Sequence, residues 1–402
     1  MTRRTIGVVS VGRSDYGILL PIVGAIHEHP ELELHLIVSG THLVKEFGFT
    51  VREIEADGFR VTAHVEMLGS DDTPRGMVES MGRGLTGFAR SYSQRRPDLL
   101  LVVGDRFETH AAVLAALPFL IPVAHIHGGE LSQGAIDDAL RHSITKLSHL
   151  HFVSTSAYAR RVIQMGEEPW RVVVSGAPSL DQLPSLELLT FEQLRHTYGL
   201  RGEGAPLLVT YHPVTLESGQ TEWQVDELLA ALERCDRPIL FTQPNADTHG
   251  RMIWDKIKQF VQRYPQADMV DNLGTRAYFS MMACAAAMVG NSSSGIVEAP
   301  SFGLPVVNIG TRQDGRLKAE NVIDVGNQRE QIMRGITEAL SPTFRERLRG
   351  LMNPYGDGSA TPKIVSRLHE VALDDRLLRK RFIDGVNGGA VDLEQRIGVN
   401  AI

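Results

Sequence analysis

Short β-branched apolar runs alternate along the chain with longer stretches whose apolar positions return at helical spacing. In the first half, Thr5–Val11, Glu33–Val38, Asp98–Gly104, Pro122–Gly129 and His149–Ser154 predict buried strands, and Pro74–Arg95 and Ala135–Leu147 predict helices. The alternation implies parallel strands with right-handed crossovers, hence a doubly wound α/β domain. It pauses over Gly176–Pro206, where prolines and glycines flank a short helical pattern, as in an interdomain linker. It restarts with Pro206–His212, Pro238–Gln243, Ala267–Asp271, Ala286–Gly290, Pro305–Gly310 and Asn321–Val325. The fold expected is therefore α/β, with two Rossmann-like doubly wound domains facing a central cleft. The boundaries expected are 1–180, 181–360, and a final helix with tail over 361–402. The tail past Ala372 is charged and lacks a core-facing stripe, so it suits the surface or an assembly contact.

Length agrees with this reading, since 402 residues exceed one ordinary domain. The net charge of −7 argues against nucleic acid or an anionic membrane as partner. No apolar run is long enough to span a bilayer, and the N-terminal run leads straight to Arg13 and Asp15, as a first strand would. Cys235 and Cys284 have no metal-ligand spacing and read as buried free thiols of a reducing compartment. A cytoplasmic protein is expected.

Ligands of open parallel sheets bind outside the carboxyl ends of the strands, so the residues that follow strand ends carry the functional reading. After the first strand, GRSDYG lacks the dinucleotide fingerprint but sets Arg13 and Ser14 at a helix start, where free N–H groups favour an anion. Ser14 or Asp15 as an N-cap, with Arg13 solvated, is the structural alternative. After the third predicted strand come Asp105 and Arg106. Within the fourth, His125 and His127 alternate about Ile126, which suits one face. A metal would need a third ligand that the sequence does not identify, and none is expected. Glycines 128 and 129 then present Glu130, and the next helix carries Asp137, Asp138, Arg141 and His142, with Asp138 and His142 on one face.

In the second half His212 ends a strand, Asn245, Asp247 and His249 follow the next, and Arg276 opens a helix. The stretch GNSSSGIVEAPSFGLP offers the hydroxyls of Ser292, Ser293 and Ser294 with the N–H groups of a following helix, a cradle suited to a diphosphate. Glu298, one turn in, is suited to vicinal ribose hydroxyls or simply to the helix dipole. Arg312 and Arg316 share one glycine-rich loop.

Together GRSDYG, GDRFETHAA, HIHGGELSQGAIDDALRHSITKLSHLHF, TYHPVT, GNSSSGIVEAPSFGLPVVNIGTRQDGR and NPYGDGSA resemble the hydrolysing UDP-N-acetylglucosamine 2-epimerases of sialic-acid and related nonulosonic-acid pathways. The matching pieces run from Gly12 to about Ala360. The resemblance implies a glycosyltransferase-B architecture, with the nucleotide held mainly by the second domain and the last helix, over Pro362–Val371, crossing back to the first. It implies elimination of UDP across C1–C2 to a 2-acetamidoglycal, then hydration to free N-acetylmannosamine, with no cofactor. Asp105, Glu130 and Asp138 match the family's acidic positions and His212 joins this catalytic set. Arg13, Ser14, Arg106, Asn245, Arg276, Ser292, Ser293, Ser294, Glu298, Arg312 and Arg316 are the substrate- and nucleotide-binding candidates. The partner implied is a sugar nucleotide, and the assembly a homodimer or homotetramer. The same family includes enzymes acting on UDP- or GDP-linked 2,4-diacetamido-trideoxy sugars of legionaminic-type pathways, and the motifs do not separate these substrates. A glycosyltransferase of the same architecture and a non-catalytic sugar-nucleotide sensor are the rival readings.

Overall fold

The computed structural model describes residues 3–71, 73–133, 135–244 and 249–383. The chain forms two compact units: Met1–Glu130, Asp137–Pro184 and Tyr355–Ile402 belong to unit 1, and Leu131–Ile136 and Ser185–Pro354 to unit 2. Asn245 and Asp247 lie outside the described residues, as does the tail past residue 383.

Unit 1 holds β1 (Arg4–Ser10), β2 (Leu32–Ser39), β3 (Val61–Val65), β4 (Leu99–Val103), β5 (Val123–Ile126), β6 (Leu150–Val153) and β7 (Val172–Val174). Its sheet has the order β3-β2-β1-β4-β5-β6-β7, with every pairing parallel. Successive strand residues fall into different cores. Ile6, Val8, Leu36, Leu99 and Leu101 pack on one face, and Val9, Ile37, Leu100 and Val102 on the other. Both faces are thus buried, as a doubly wound sheet requires. β3 and β7, which the apolar pattern does not predict, are the two edges. β3 is mostly half-exposed and β7 has three residues, so neither shows a buried apolar run.

Unit 2 holds β8 (Leu207–Thr210), β9 (Ile239–Thr242), β10 (Ala267–Val270), β11 (Ala287–Gly290), β12 (Val306–Ile309) and β13 (Val322–Val325). Its parallel sheet runs β10-β9-β8-β11-β12-β13. Both sheets reverse their winding once, between β1 and β4 and between β8 and β11. The loops after those four strands border the switch points where doubly wound sheets bind ligands.

The helix Arg13–Glu28 carries Pro21, which removes the bond that would cap the carbonyl of Gly17. Gln182 Nε2 donates to that carbonyl at 3.2 Å. The helix Ala360–Glu370 packs Ile364, Val365 and Leu368 into the same core as Leu19, Ile22 and Ile26. Asp181 receives the N–H groups of Ala360 (2.9 Å) and Thr361 at its start. The described part of the tail docks on unit 1. Arg171, fully buried, donates to the carbonyls of Leu377 (2.8 Å) and Arg376 (2.7 Å). Lys380 reaches Glu167 at 2.8 Å.

Glu167 is fully buried and also meets Lys146 (2.6 Å) and His151 (3.0 Å). Burial alone would raise its pKa, but hydrogen bonds from His151, Lys146 and Lys380 outweigh it and hold the group at about 2. Because the folded pKa is depressed, this contribution is present above the ordinary value of 4.5 and is lost as pH falls toward 2. Glu167→Ala should lower the unfolding free energy by about 1–3 kcal/mol near neutral pH, since it leaves the buried His151 ring and the half-buried Lys380 without their carboxylate partner. Thermal melts of both proteins check this, and the gap should narrow in acid; equal melting temperatures at pH 7 would refute it.

Candidate functional site

In unit 1, Gly12 caps the helix Arg13–Glu28 with extended backbone and no side-chain cap. Neither Ser14 nor Asp15 is therefore the N-cap. Ser14 is exposed and Arg13 half-buried, whereas Asp15 turns inward with Tyr16 and Leu19. Asp15 is 6% exposed, and its Oδ2 has no hydrogen-bond partner. Burial pushes its pKa up to about 7; Arg106 opposes this, and Glu108 and Asp105 add to it.

Beyond β4, Asp105 and Arg106 precede the helix Phe107–Ala116, with Arg106 at its N-cap. Arg106 Nε lies 3.6 Å from Oε2 of the buried Glu108. Asp105 accepts a hydrogen bond from Arg141 Nη2. Arg141 is buried, and its Nη1 donates to the carbonyl of His127 at 2.9 Å. His127 follows β5 in the left-handed region, with φ 65°. Its Nδ1 donates to Glu130 Oε1 at 2.7 Å, and Ser154 Oγ donates to the same oxygen at 2.7 Å. Gly129 has φ 75°, and a Cβ there would lie 2.7 Å from the Tyr158 carbonyl, so the turn presenting Glu130 needs glycine. Asp138 opens the helix Asp137–Leu147 with Oδ2 3.7 Å from His142 Nε2, both half-buried. Burial lowers the His142 pKa, and Asp138 opposes it.

Asp105, Glu130 and the Asp138 helix are thus joined through Arg141 and His127, neither of them among the expected site residues. His125 and His127 do not share a face. His125 Nε2 meets the Gly104 carbonyl at 2.7 Å and its Nδ1 meets Thr145 Oγ1 at 3.2 Å, while His127 turns to Glu130. Among the described residues no group of three or more His, Cys, Asp or Glu is set to hold a metal.

In unit 2 the serines follow β11 at Gly290, where φ is 137° and a Cβ would lie 2.0 Å from the Thr210 carbonyl. Only glycine allows that approach. Buried Asn291 then ties the loop to His212: the His212 N–H donates to Asn291 Oδ1 (2.7 Å) and Asn291 Nδ2 to the His212 carbonyl (2.8 Å). His212 itself lies beyond β8, which ends at Thr210. The Asn291 carbonyl accepts from Arg312 Nη1 (3.2 Å) and Gln313 Nε2 (2.8 Å). Arg312, His212 and the serine loop are therefore one assembly.

The helix after the serines differs from expectation. It spans only Ser294–Val297, with Glu298 at its C-cap and a 3-10 turn over Ala299–Phe302. Pro300 supplies no N–H to continue it. The N–H groups of Gly295, Ile296 and Val297 are already bonded to the Ser292 and Ser293 carbonyls. What the loop offers an anion is chiefly hydroxyls. Tyr278 adds one beside Ser294, Thr210 and Ser292, its pKa pushed up to about 12 by burial, with Ser294 opposing. Arg276 does not join them: two residues from Tyr278 on the same helix, it is exposed and bonds the Glu187 carbonyl at 2.8 Å. Arg316 holds Leu131 (2.9 Å) and Ser132 of the 131–136 segment.

Two parallel doubly wound sheets, each reversing its winding once, define a two-domain α/β protein of the glycosyltransferase-B type. The family model for UDP-N-acetylglucosamine 2-epimerase matches residues 24–369, and the chain belongs to this family of hydrolysing epimerases. It is 36% identical over 386 residues, 96% of its length, to the whole GDP/UDP-N,N'-diacetylbacillosamine 2-epimerase (hydrolyzing) of Campylobacter jejuni. It is 35% identical over 381 residues to UDP-N,N'-diacetylbacillosamine 2-epimerase (hydrolyzing) of Legionella pneumophila, covering 94% of this chain and 99% of that one. A crystal structure of UDP-GlcNAc 2-epimerase from Neisseria meningitidis bound to UDP-GlcNAc superposes with TM-score 0.77 at 19% identity, over 90% of this chain and 99% of that one. Among the described residues no helix is long and apolar enough to cross a membrane.

Asn291 is the simplest test of the unit 2 assembly. Asn291→Ala removes both bonds to the His212 backbone and should cost about 2–3 kcal/mol of stability. Denaturant unfolding followed by tryptophan fluorescence reads the loss. A variant as stable as the parent would mean that water replaces the side chain and that the loop is not held by it.

Proposed function

We propose that the protein is a hydrolysing 2-epimerase for a nucleoside-diphosphate-linked 2,4-diacetamido-trideoxy sugar of the diacetylbacillosamine type. The substrate reading rests on one observation: two relatives matched along essentially their whole length carry that activity in their names. UDP-N-acetylglucosamine, the substrate implied by the family resemblance, becomes the alternative. The two sugars differ at C4 and C6, away from the reacting carbons.

The chemistry follows from the carboxylates. In the first stage a carboxylate takes the proton from C2. The C–H pair becomes the C1=C2 bond, the C1–O bond breaks, and the nucleoside diphosphate leaves with its electrons. In the second stage water adds, its hydroxyl to C1 and a proton to C2 from the opposite face, giving the free 2-epimer. Asp105, Glu130 and Asp138 are the proposed proton carriers. Arg141 holds Asp105, and His127 with Ser154 holds Glu130, so neither group reorganises as the proton moves. The leaving diphosphate gains charge, which His212, Arg312 and the serine hydroxyls are suited to meet. Arg13 and Arg106 are further cationic candidates for the substrate.

Two outcomes are expected. In D₂O the released sugar should carry deuterium at C2, with nucleoside diphosphate freed in equal amount. The preferred donor, by kcat/KM across UDP- and GDP-linked 2-acetamido and 2,4-diacetamido sugars, should be a diacetamido sugar by at least about tenfold, the worth of one well-placed polar contact. Protium at C2 would remove the elimination scheme, and preference for UDP-N-acetylglucosamine would restore that sugar nucleotide as the substrate.

Variants separate the two proposed roles. Asp105→Asn or Glu130→Gln should lose about 10²–10⁴-fold in turnover, the usual span for an acid–base group, with UDP affinity nearly unchanged. Arg312→Ala should weaken UDP binding by about tenfold or more, the worth of one charge-assisted bond. Calorimetric titration with UDP reads this directly, and unchanged affinity in Arg312→Ala would mean that the diphosphate is held elsewhere.

A further inference from the structure

Asp15 has no part in the scheme above, yet it is the most unusual carboxylate in unit 1. Its side chain lies on the buried stripe of the helix Arg13–Glu28, and among the described residues no hydrogen-bond donor reaches its buried Oδ2. Its Oδ1 makes a weak contact, 3.5 Å from Ser14 Oγ. A buried ionised carboxylate without donors is costly, and such a group sheds its charge.

The charges acting on it are Arg106, Glu108 and Asp105; the half-buried Arg13 stands two residues before it, and Asp105 is in turn bonded to Arg141. With Asp15 neutral, the guanidiniums of Arg13, Arg106 and Arg141 outnumber the carboxylates of Asp105 and Glu108 by one. With Asp15 ionised, that surplus of positive charge is gone.

Resting on the epimerase reading, we propose that Asp15 is a positioning residue that works as a neutral carboxylic acid, leaving the surplus positive charge of this group to the anionic substrate. Loss of its proton would cancel the positive charge that attracts a sugar nucleotide. Alkaline loss of kcat/KM would then belong to Asp15, with its raised pKa of about 7 setting the midpoint.

The test compares wild type with Asp15→Asn, which keeps the shape and fixes the neutral state. Wild-type kcat/KM should fall about tenfold between pH 6 and pH 8, the drop of one ionisation with a pKa near 7. Asp15→Asn should match wild type within about twofold at pH 6 and show no such fall. A variant that keeps the alkaline fall, or is inactive at pH 6, overturns the proposal.

A second readout needs no substrate. The folded pKa of Asp15 is raised, so the folded state binds the extra proton, and wild-type stability must fall as pH rises from about 4 to 7 relative to Asp15→Asn. Melting temperatures across that range should diverge in favour of the variant, and parallel curves count against the proposal. If Asp15→Asn does not fold, infrared titration of the wild type should show a protonated carboxyl band lost near pH 7. The absence of that band at pH 5.5 overturns the idea. Wild type inactive on every donor, with the carboxyl titrating, would instead refute the epimerase reading.

Discussion

A parallel strand buried on both faces cannot carry a charge along its length. This constraint organises the protein. Leu99–Val103 and Val123–Ile126 leave room only for apolar side chains and for His125, whose two nitrogens are both occupied. Most of the ionisable groups that could do chemistry are pushed to the residues just past a strand, with Asp138, in the first turn of a helix, the exception. There the backbone turns, donors are free, and the order of strands leaves a gap at the switch point. Asp105, Glu130, His212 and the three serines all stand at such ends.

Holding those groups still is the work of buried polar residues that the strand pattern does not reveal. Arg141, itself buried, joins a side chain, Asp105, to a backbone carbonyl, that of His127. His127 adopts a backbone conformation that costs a β-carbon residue of order 1 kcal/mol or more, which persists only where surrounding contacts impose it. Here the imposing contacts are the Arg141 bond to its carbonyl and its own bond to Glu130. The strain and the placement of Glu130 are one feature. Asn291 does the corresponding task in unit 2, where one amide fixes both the N–H and the carbonyl of His212.

The buried centres of both sheets were legible because a short run of valines and leucines bounded by turn residues suits little besides a strand covered on both faces. The edges of the unit 1 sheet were not, since β3 is mostly half-exposed and β7 has three residues, whereas β10 and β13, the edges of the unit 2 sheet, did show a strand pattern. Among site residues, the sequence pattern marks those at strand ends and passes over those that support them. Two of the supporting residues did leave a trace. Asp15 shares the apolar stripe of Tyr16, Leu19, Ile22 and Ile26, and Arg141 that of Ile144 and Thr145. A charge on the inward face of a helix is the pattern that would have singled them out. Arg276 shows the opposite error, since a helix start attracts attention whichever way its side chains point, and this one points outward. The helix after the serines failed for a chemical reason: Pro300 stops it after one turn, and its amides are spent on the serine carbonyls themselves.

Apart from the extra edge strand β7, the two units share one strand order, so the fold cannot decide which of them does chemistry and which binds. The residue types at the switch points can. Unit 1 gathers carboxylates with arginines to hold them, a set that can take and return protons. Unit 2 gathers hydroxyls and an arginine around a fixed loop, a set that donates hydrogen bonds and has little to remove a proton with. Elimination followed by hydration needs both: a base that can be recharged, and donors that grow more favourable as a leaving group gains charge. Transfer to an acceptor would need the second and only a weak version of the first. The concentration of acids in unit 1, with Asp105 and Glu130 separately braced, is what weighs the site toward breaking a C–H bond.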